Sequence, residues 1–162
     1  MTDQHDYTTT FVVPTTPDEA YDATAHPQQW WNEMITGQAA AVGDVFVHDV
    51  PRLHHAKFIV TEATPGRRLT WRAEPTGATT ELAEWIGTDL IFDFTRDPEG
   101  TRVTFTHKGL HPGLECHTTC TTAWSHHLTV GLQSLLTAGQ ADPITAESAA
   151  AVAAKVGAAP AP

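Results

Sequence analysis

The apolar residues of this chain change their spacing once, near residue 109, and this change constrains the fold more than any other feature. Before it, apolar and polar residues alternate, most sharply over residues 85–95, where one face carries Ile86, Leu90, Phe92 and Phe94 and the other carries Asp89 and Asp93. A period of two is typical of a strand with one covered and one solvated face. After residue 113 the apolar residues recur every three or four positions, which predicts an amphipathic helix.

Local signals divide the rest of the chain into shorter elements. Residues 8–13 are rich in β-branched and aromatic side chains, which predicts a first strand. A helix is predicted to begin at Pro17, with Thr16 as its N-cap, and a second short helix is predicted over residues 28–35. Further strands are predicted over residues 45–49, 56–62, 67–73, 85–95 and 101–108, followed by the long helix over residues 115–138.

The length and composition indicate one globular domain. The chain has 162 residues, of which 41% are hydrophobic, and its five Trp and six Phe supply enough apolar surface to exclude general disorder. No apolar run reaches the roughly 18 residues of a spanning helix, so no membrane insertion is predicted. Two cysteines and an N-terminus without signal-peptide character predict reduced thiols and a cytoplasmic location.

The charge balance argues against nucleic acid as a partner. Nine basic residues stand against nineteen acidic ones, and the formal net charge of −10 repels a phosphate backbone. The one basic cluster consists of Arg67, Arg68 and Arg72. Glycine-rich signatures for phosphate or dinucleotide binding are absent from the sequence, and no cofactor is predicted.

The organisation along the chain separates a domain from two end segments. We predict a flexible N-terminus over residues 1–7, a folded domain over residues 8–140 and a mobile, Ala- and Pro-rich tail over residues 141–162. The tail contains few large apolar side chains, so it lacks the surface that would hold it against a core.

Short motifs occur along the chain in a distinctive order. They are Trp30-Trp31, the hairpin over residues 60–69 followed by Trp71, the segment Glu84-Trp85-Ile86-Gly87-Thr88 with Phe92, the segment His107-Lys108-Gly109-Leu110, and Glu115-Cys116 with Cys120 and Ala123-Trp124. In this order they resemble the activator-of-heat-shock-protein-90-ATPase homology family of the SRPBCC (START-like) superfamily. The resemblance implies an α+β helix-grip fold. Such a fold has a curved antiparallel sheet of six or seven strands around a long C-terminal helix, with two short helices after the first strand.

A helix laid over a bent sheet tends to leave an internal hydrophobic cavity, and we predict that this cavity binds a small apolar or aromatic molecule, lipid- or polyketide-like. The residues predicted to line it are Trp30, Trp31, Phe46, His48, Phe58, Trp71, Trp85, Phe92, Phe105, His107, Cys120 and Trp124. The alternative is that these aromatic side chains fill the space as an ordinary core.

Other chemistry remains open at the start of the long helix. A cavity enzyme of the cyclase or hydrolase type would use His107 with Cys116 or Glu33. A zinc cluster of His107, His111, Cys116 and Cys120 has adequate ligands but lacks the close Cys-x-x-Cys spacing, so no metal site is assigned. Free cysteines more commonly pack as small apolar side chains.

The family resemblance adds a third function class, a co-chaperone-like module that binds another protein. The chain is short for this role, because it holds a single domain and lacks room for the additional N-terminal domain of the eukaryotic activators. A small hydrophobic ligand is therefore the favoured partner, a chaperone is the less favoured one, and a homodimer is left open.

Overall fold

The computed structural model describes residues 6–114 and 117–155. Its strands are β1 (Tyr7–Val13), β2 (Thr36–Gly37), β3 (Val45–Val50), β4 (His54–Thr64), β5 (Arg68–Glu74), β6 (Asp89–Asp97) and β7 (Gly100–Lys108). Its α-helices are α1 (Pro17–Thr24), α2 (His117–His126), α3 (Ser134–Ala138) and α4 (Ala146–Lys155). A π-helical stretch, His127–Gln133, joins α2 to α3, and 3₁₀ turns cover Pro27–Gln29 and Ala83–Trp85.

The seven strands form one curved antiparallel sheet in the order β1-β7-β6-β5-β4-β3-β2. The central register pairs Leu90 with His107 and Phe92 with Phe105, so the predicted inward residues of two strands lie side by side. The long C-terminal helix, residues 117–138, packs its buried face against these side chains. The α+β helix-grip fold predicted from the sequence is confirmed.

The start of α1 follows the predicted capping pattern. The Thr16 hydroxyl accepts a hydrogen bond from the Glu19 N–H (3.1 Å), and the Glu19 carboxylate accepts one from the Thr16 N–H (2.9 Å). Pro17 occupies the first turn, where its missing N–H has no intrahelical partner to lose. This reciprocal capping box satisfies donors that a helix start otherwise leaves to water.

The second short helix is predicted over residues 28–35, but the structure forms only one 3₁₀ turn there, Pro27–Gln29. Beyond this turn, the buried Asn32 side chain accepts the Met34 N–H (2.9 Å) and donates to the Asp49 carbonyl (3.2 Å). These bonds tie the segment to β3 in place of a regular helical turn. The chain then runs into the short strand β2.

The strand predicted from residue 85 begins four residues later, at Asp89. Trp85 instead ends a 3₁₀ turn, and Gly87 adopts a positive φ of 82° that interrupts an extended chain. Ile86 consequently lies on the outside, with 38% of its surface exposed, and not on the inward face predicted for it.

The long helix is not the regular α-helix that its periodicity predicts. Its middle third, His127–Gln133, is π-helical, and Gly131 within it packs directly on the Trp30 carbonyl oxygen. The helix ends where predicted, at Gly139, which takes a left-handed φ of 74°.

Packing continues past the predicted domain end at residue 140. The Ile144 N–H donates to the Trp31 carbonyl (2.8 Å), and the Ile144 carbonyl accepts from the Glu33 N–H (2.9 Å). Ala149 and Ala153 on α4 are also buried. Part of the predicted tail is therefore packed. Residues 1–5, 115, 116 and 156–162, including Cys116, lie outside the described residues.

Candidate functional site

The centre of the sheet is filled by aromatic side chains. Six of the residues predicted to line a cavity are at most 1% exposed and do not line the cavity described below: Trp30, Phe46, Phe58, Trp71, Phe92 and Phe105. Their rings touch one another, with centroids 5.1 Å apart for Trp71 and Phe92 and 5.0 Å apart for Phe92 and Phe105. Such contacts stabilise a core beyond the area they bury.

A cavity of about 120 Å³, partly open to solvent, remains between the long helix and one end of this core. Five of the predicted residues line it: Trp31, His48, Trp85, Cys120 and Trp124. Six further lining residues were not predicted as site residues: His54, Leu82, Thr119, Ala123, His127 and Ile144. The cavity is thus largely aromatic and aliphatic, with a few polar groups, as small-molecule sites commonly are.

Three indole rings shape the walls of the cavity. Trp85 and Trp124 stack with centroids 5.6 Å apart at 13°, and Trp31 lies 5.0 Å from Trp124. Trp31 also stacks on the His48 imidazole at 4.4 Å. Trp31 lies before β2, Trp85 in the turn before β6 and Trp124 in the long helix. The site is therefore assembled by tertiary packing of three separate segments.

The orientation of His48 is determined by its neighbour Asn32. The Asn32 side-chain oxygen accepts the Met34 N–H, so its amide nitrogen is the donor to His48 Nδ1 (3.1 Å). His48 therefore carries its own proton on Nε2. Burial, together with the nearby His127, His54 and His55, holds the pKa of His48 well below its usual 6.5.

Three buried polar atoms of lining residues have no protein partner among the described residues. They are Nδ1 of His54, Nδ1 of His127 and Nε1 of Trp85. Burial lowers the pKa of His54, and burial together with His126 and His54 lowers the pKa of His127 to about 4. At neutral pH both imidazoles are uncharged.

His107 lies outside this cavity lining and is fully hydrogen-bonded. Trp124 Nε1–H donates to its Nδ1 (3.0 Å), which leaves the proton on Nε2 to be donated to the Thr88 hydroxyl (2.8 Å). Burial lowers the pKa of His107 to about 3. Both nitrogens are engaged, so the geometry provides no free base here.

The remaining predicted catalytic and metal residues do not converge within the described part of the chain. Glu33 is exposed and does not line the cavity, and His111 Nδ1 accepts from the Gly113 N–H (3.1 Å). Cys120 is buried as a free thiol. Across residues 6–114 and 117–155 no three ligating side chains are placed to hold a metal ion.

Some of the missed lining residues left a signal in the sequence and others left none. His127 follows Trp124 by three positions, so a helical period places both on one face. Leu82 and Ile144 lie outside regular strands and helices. Their packing positions follow from contacts with distant segments, which periodicity does not predict.

A seven-stranded antiparallel sheet curved against one long helix, with a cavity at their junction, defines a helix-grip protein. The chain accordingly matches the solution structure of the Aha1 dimer from Colwellia psychrerythraea, with a TM-score of 0.70 at 23% identity over 83% of this chain and 98% of that one. A crystal structure of a protein from Mesorhizobium loti matches with a TM-score of 0.67 at 18% identity over 82% of this chain and 96% of that one. The chain therefore shares the fold of these proteins, the helix-grip fold that its motifs predict.

A third solved structure belongs to a larger protein. DynU16, from the dynemicin biosynthetic locus, matches with a TM-score of 0.61 at 18% identity, over 86% of this chain and 49% of that one. No family model and no curated protein matches the chain. None of the described helices combines the length and the apolar character needed to cross a bilayer.

Proposed function

We propose that this protein binds a small aromatic molecule of single-ring size in the cavity between the long helix and the sheet. The cavity itself carries the proposal, because it has a volume of about 120 Å³, is partly open and is walled by Trp31, Trp85 and Trp124. An apolar cavity of roughly 150 Å³ accepts benzene. Drug-sized ligands occupy roughly 300–1,000 Å³, so a whole lipid or polyketide is larger than this space.

Binding would be driven by burial of the ligand ring against the indoles. Apolar burial contributes about 25 cal/mol per Å², and offset or edge-to-face ring contacts add to it. The helix-grip fold is compatible with this role. For a cavity enzyme that uses His107, the geometry offers no support, because both ring nitrogens are already engaged.

The test is titration of toluene and benzyl alcohol, followed by Trp fluorescence and by thermal unfolding. Because the three wall indoles surround the site, we expect a saturable fluorescence change and a rise in melting temperature that follows ligand concentration. Ala123→Phe places a ring at the exposed, lining position Ala123 and should weaken binding at least tenfold.

Thr122→Phe is the matched control, since Thr122 is the exposed neighbour and does not line the cavity. It should bind as the wild type does. Equal binding by Ala123→Phe and the wild type, or no saturable signal from either ligand, would contradict the proposal.

The homodimer left open by the sequence stays a prediction. The Colwellia Aha1 structure is that of a dimer, and this supports pairing of the present chain through a comparable fold.

A further inference from the structure

The polar groups of the cavity are of an unusual kind for an apolar pocket. Three of its lining residues are histidines, namely His48, His54 and His127. The Trp85 indole N–H and the Thr119 hydroxyl are further polar groups of lining residues. No carboxylate, lysine or arginine is among the lining residues that the structure describes. Among the described lining residues, therefore, the polar atoms are mostly nitrogens and none belongs to an anionic group.

Three of these donors and acceptors lack partners. Nε1 of Trp85, Nδ1 of His54 and Nδ1 of His127 are buried without a hydrogen bond among the described residues. A buried polar atom without a partner costs free energy. Indole N–H can only donate, and an imidazole N–H donates as well. Ligand oxygens that accept hydrogen bonds would remove this cost.

The titratable groups around the histidines have partners outside the cavity. His55 contacts the Asp49 carboxylate (3.0 Å), and His126 lies 3.5 Å from the Asp142 carboxylate. On the strand and turn that pack beside the site, Glu81 accepts hydrogen bonds from the segment at Thr76, and Glu84 has an interaction of its own. None of these acidic groups lines the cavity.

A ligand that brings a negative charge would change the state of the histidines. His48, His54 and His127 line the same cavity. Burial and, after it, charge repulsion among these rings lower the pKa of His48 and of His127, so protonation of one opposes protonation of the next. An anionic oxygen beside them stabilises one imidazolium, and a second proton is opposed by the first. Ligand uptake and proton uptake are then linked one to one.

We propose that the cavity selects a single-ring aromatic acid, whose carboxylate lies against the His54–His127 pair and the Trp85 N–H and whose binding takes up one proton onto that imidazole pair. This inference rests on the proposed function and specifies its ligand class. The ring occupies the indole-walled part of the same cavity. No covalent bond forms between ligand and protein; the one new bond is the imidazole N–H, and its proton is released by solvent.

Benzoate carries a negative charge and benzyl alcohol does not, so comparing them distinguishes binding of an aromatic acid from binding of any single-ring aromatic molecule. Isothermal titration calorimetry at pH 6–7, in buffers of different ionisation enthalpy, measures the protons taken up on binding. We expect about one proton per benzoate, and a dissociation constant that rises about tenfold per pH unit over this range. Benzyl alcohol should bind without proton uptake and with no pH dependence.

Two histidine variants locate the proton. His127→Gln should abolish proton uptake and weaken benzoate binding at least tenfold more than it weakens benzyl alcohol binding, because His127 lines the cavity that holds both ligands. His126→Gln is the matched control on the adjacent, exposed position, and it should still take up about one proton per benzoate. His54→Gln repeats the test from the sheet side, and thermal unfolding of each variant verifies that it is folded.

The outcomes distinguish failure of the inference from failure of the proposed function. If benzyl alcohol binds but benzoate does not, or if benzoate binds without proton uptake, the aromatic-acid inference is overturned and the cavity function stands. If neither ligand binds, both are overturned. If His126→Gln loses proton uptake and His127→Gln keeps it, the imidazole assignment is wrong.

Discussion

His107 shows at the scale of one residue how a buried imidazole joins separate elements. Its hydrogen bonds run in one direction: Trp124 donates to His107, His107 donates to Thr88, and the Thr88 hydroxyl donates to the Trp85 carbonyl. Each proton in this chain has one acceptor, so the tautomer of the ring follows from its neighbours. The network links the helix, β7 and the turn before β6.

Thr88→Val tests this network with almost no change of shape. The variant removes the hydroxyl between His107 and the Trp85 carbonyl. It leaves the buried His107 Nε2–H unpaired, while the Trp85 carbonyl keeps the bond from the Thr88 N–H (2.9 Å). We expect the free energy of unfolding to fall by about 1–3 kcal/mol, measured by urea denaturation.

Thr106→Val is the control for this substitution. Thr106 lies in β7, and its hydroxyl is hydrogen-bonded to the exposed Thr8 hydroxyl (3.2 Å). The Thr106→Val substitution should change the free energy of unfolding by no more than about 0.5 kcal/mol. Equal losses in the two variants would show that the His107 network adds no stability of its own.

The π-helical stretch His127–Gln133 is the feature that matters most at the scale of elements. It lies where the long helix approaches Trp30 closely, and Gly131 is buried at that contact. Single π turns in proteins frequently occur at functional sites. Here the stretch begins at His127, a lining residue of the cavity.

Gly131→Ala sets two opposed effects against each other. Alanine favours a helix by about 1 kcal/mol relative to glycine, but its Cβ would overlap the Trp30 carbonyl oxygen, which is backbone and has little freedom to move. We expect the overlap to dominate and the free energy of unfolding to fall by about 1–3 kcal/mol.

Thr137→Ala, at an exposed position of α3, is the matched control for this substitution. It should be neutral or stabilise the protein by a few tenths of a kcal/mol, as alanine's helix preference predicts. A free energy of unfolding for Gly131→Ala equal to or above that of the wild type would contradict the close approach of the helix to Trp30.

At the scale of the whole molecule, the buried histidines make stability depend on pH. Burial lowers the pKa of His107 to about 3 and that of His127 to about 4, and it lowers the pKa of His48 well below 6.5. An unfolded chain protonates these imidazoles near pH 6.5. Below that pH the unfolded state binds more protons than the folded state.

The stability that these groups contribute is therefore complete above about pH 6.5 and is lost as the pH falls towards about 4 and then about 3. For each imidazole that stays neutral in the folded state, the free energy of unfolding falls by roughly 1.4 kcal/mol for every unit by which the pH is lowered in this window. We expect the urea midpoint to be nearly constant from pH 7 to 8 and to fall steeply from pH 6 to 4.5. A midpoint unchanged between pH 7 and pH 5 would contradict this prediction.

The sequence by itself determined six of the seven strands, all but β2, and the residues covered by the long helix. The period-two pattern of β6 and β7 indicates a sheet with one covered face. The period of three to four residues after residue 113 predicts the helix that covers this face. The Thr16–Glu19 cap and the Gly139 end are equally local, because each depends on residues within one turn.

Only the tertiary structure decided how much of the interior is empty and which polar groups meet there. Periodicity assigns a residue to a face, but the remaining volume depends on how rings from different elements interlock, and here most of the predicted wall closed into a core. His54 and His127 lie far apart in sequence and meet through the register of β4 and the course of the helix. That convergence is a property of long-range packing, which no local pattern contains.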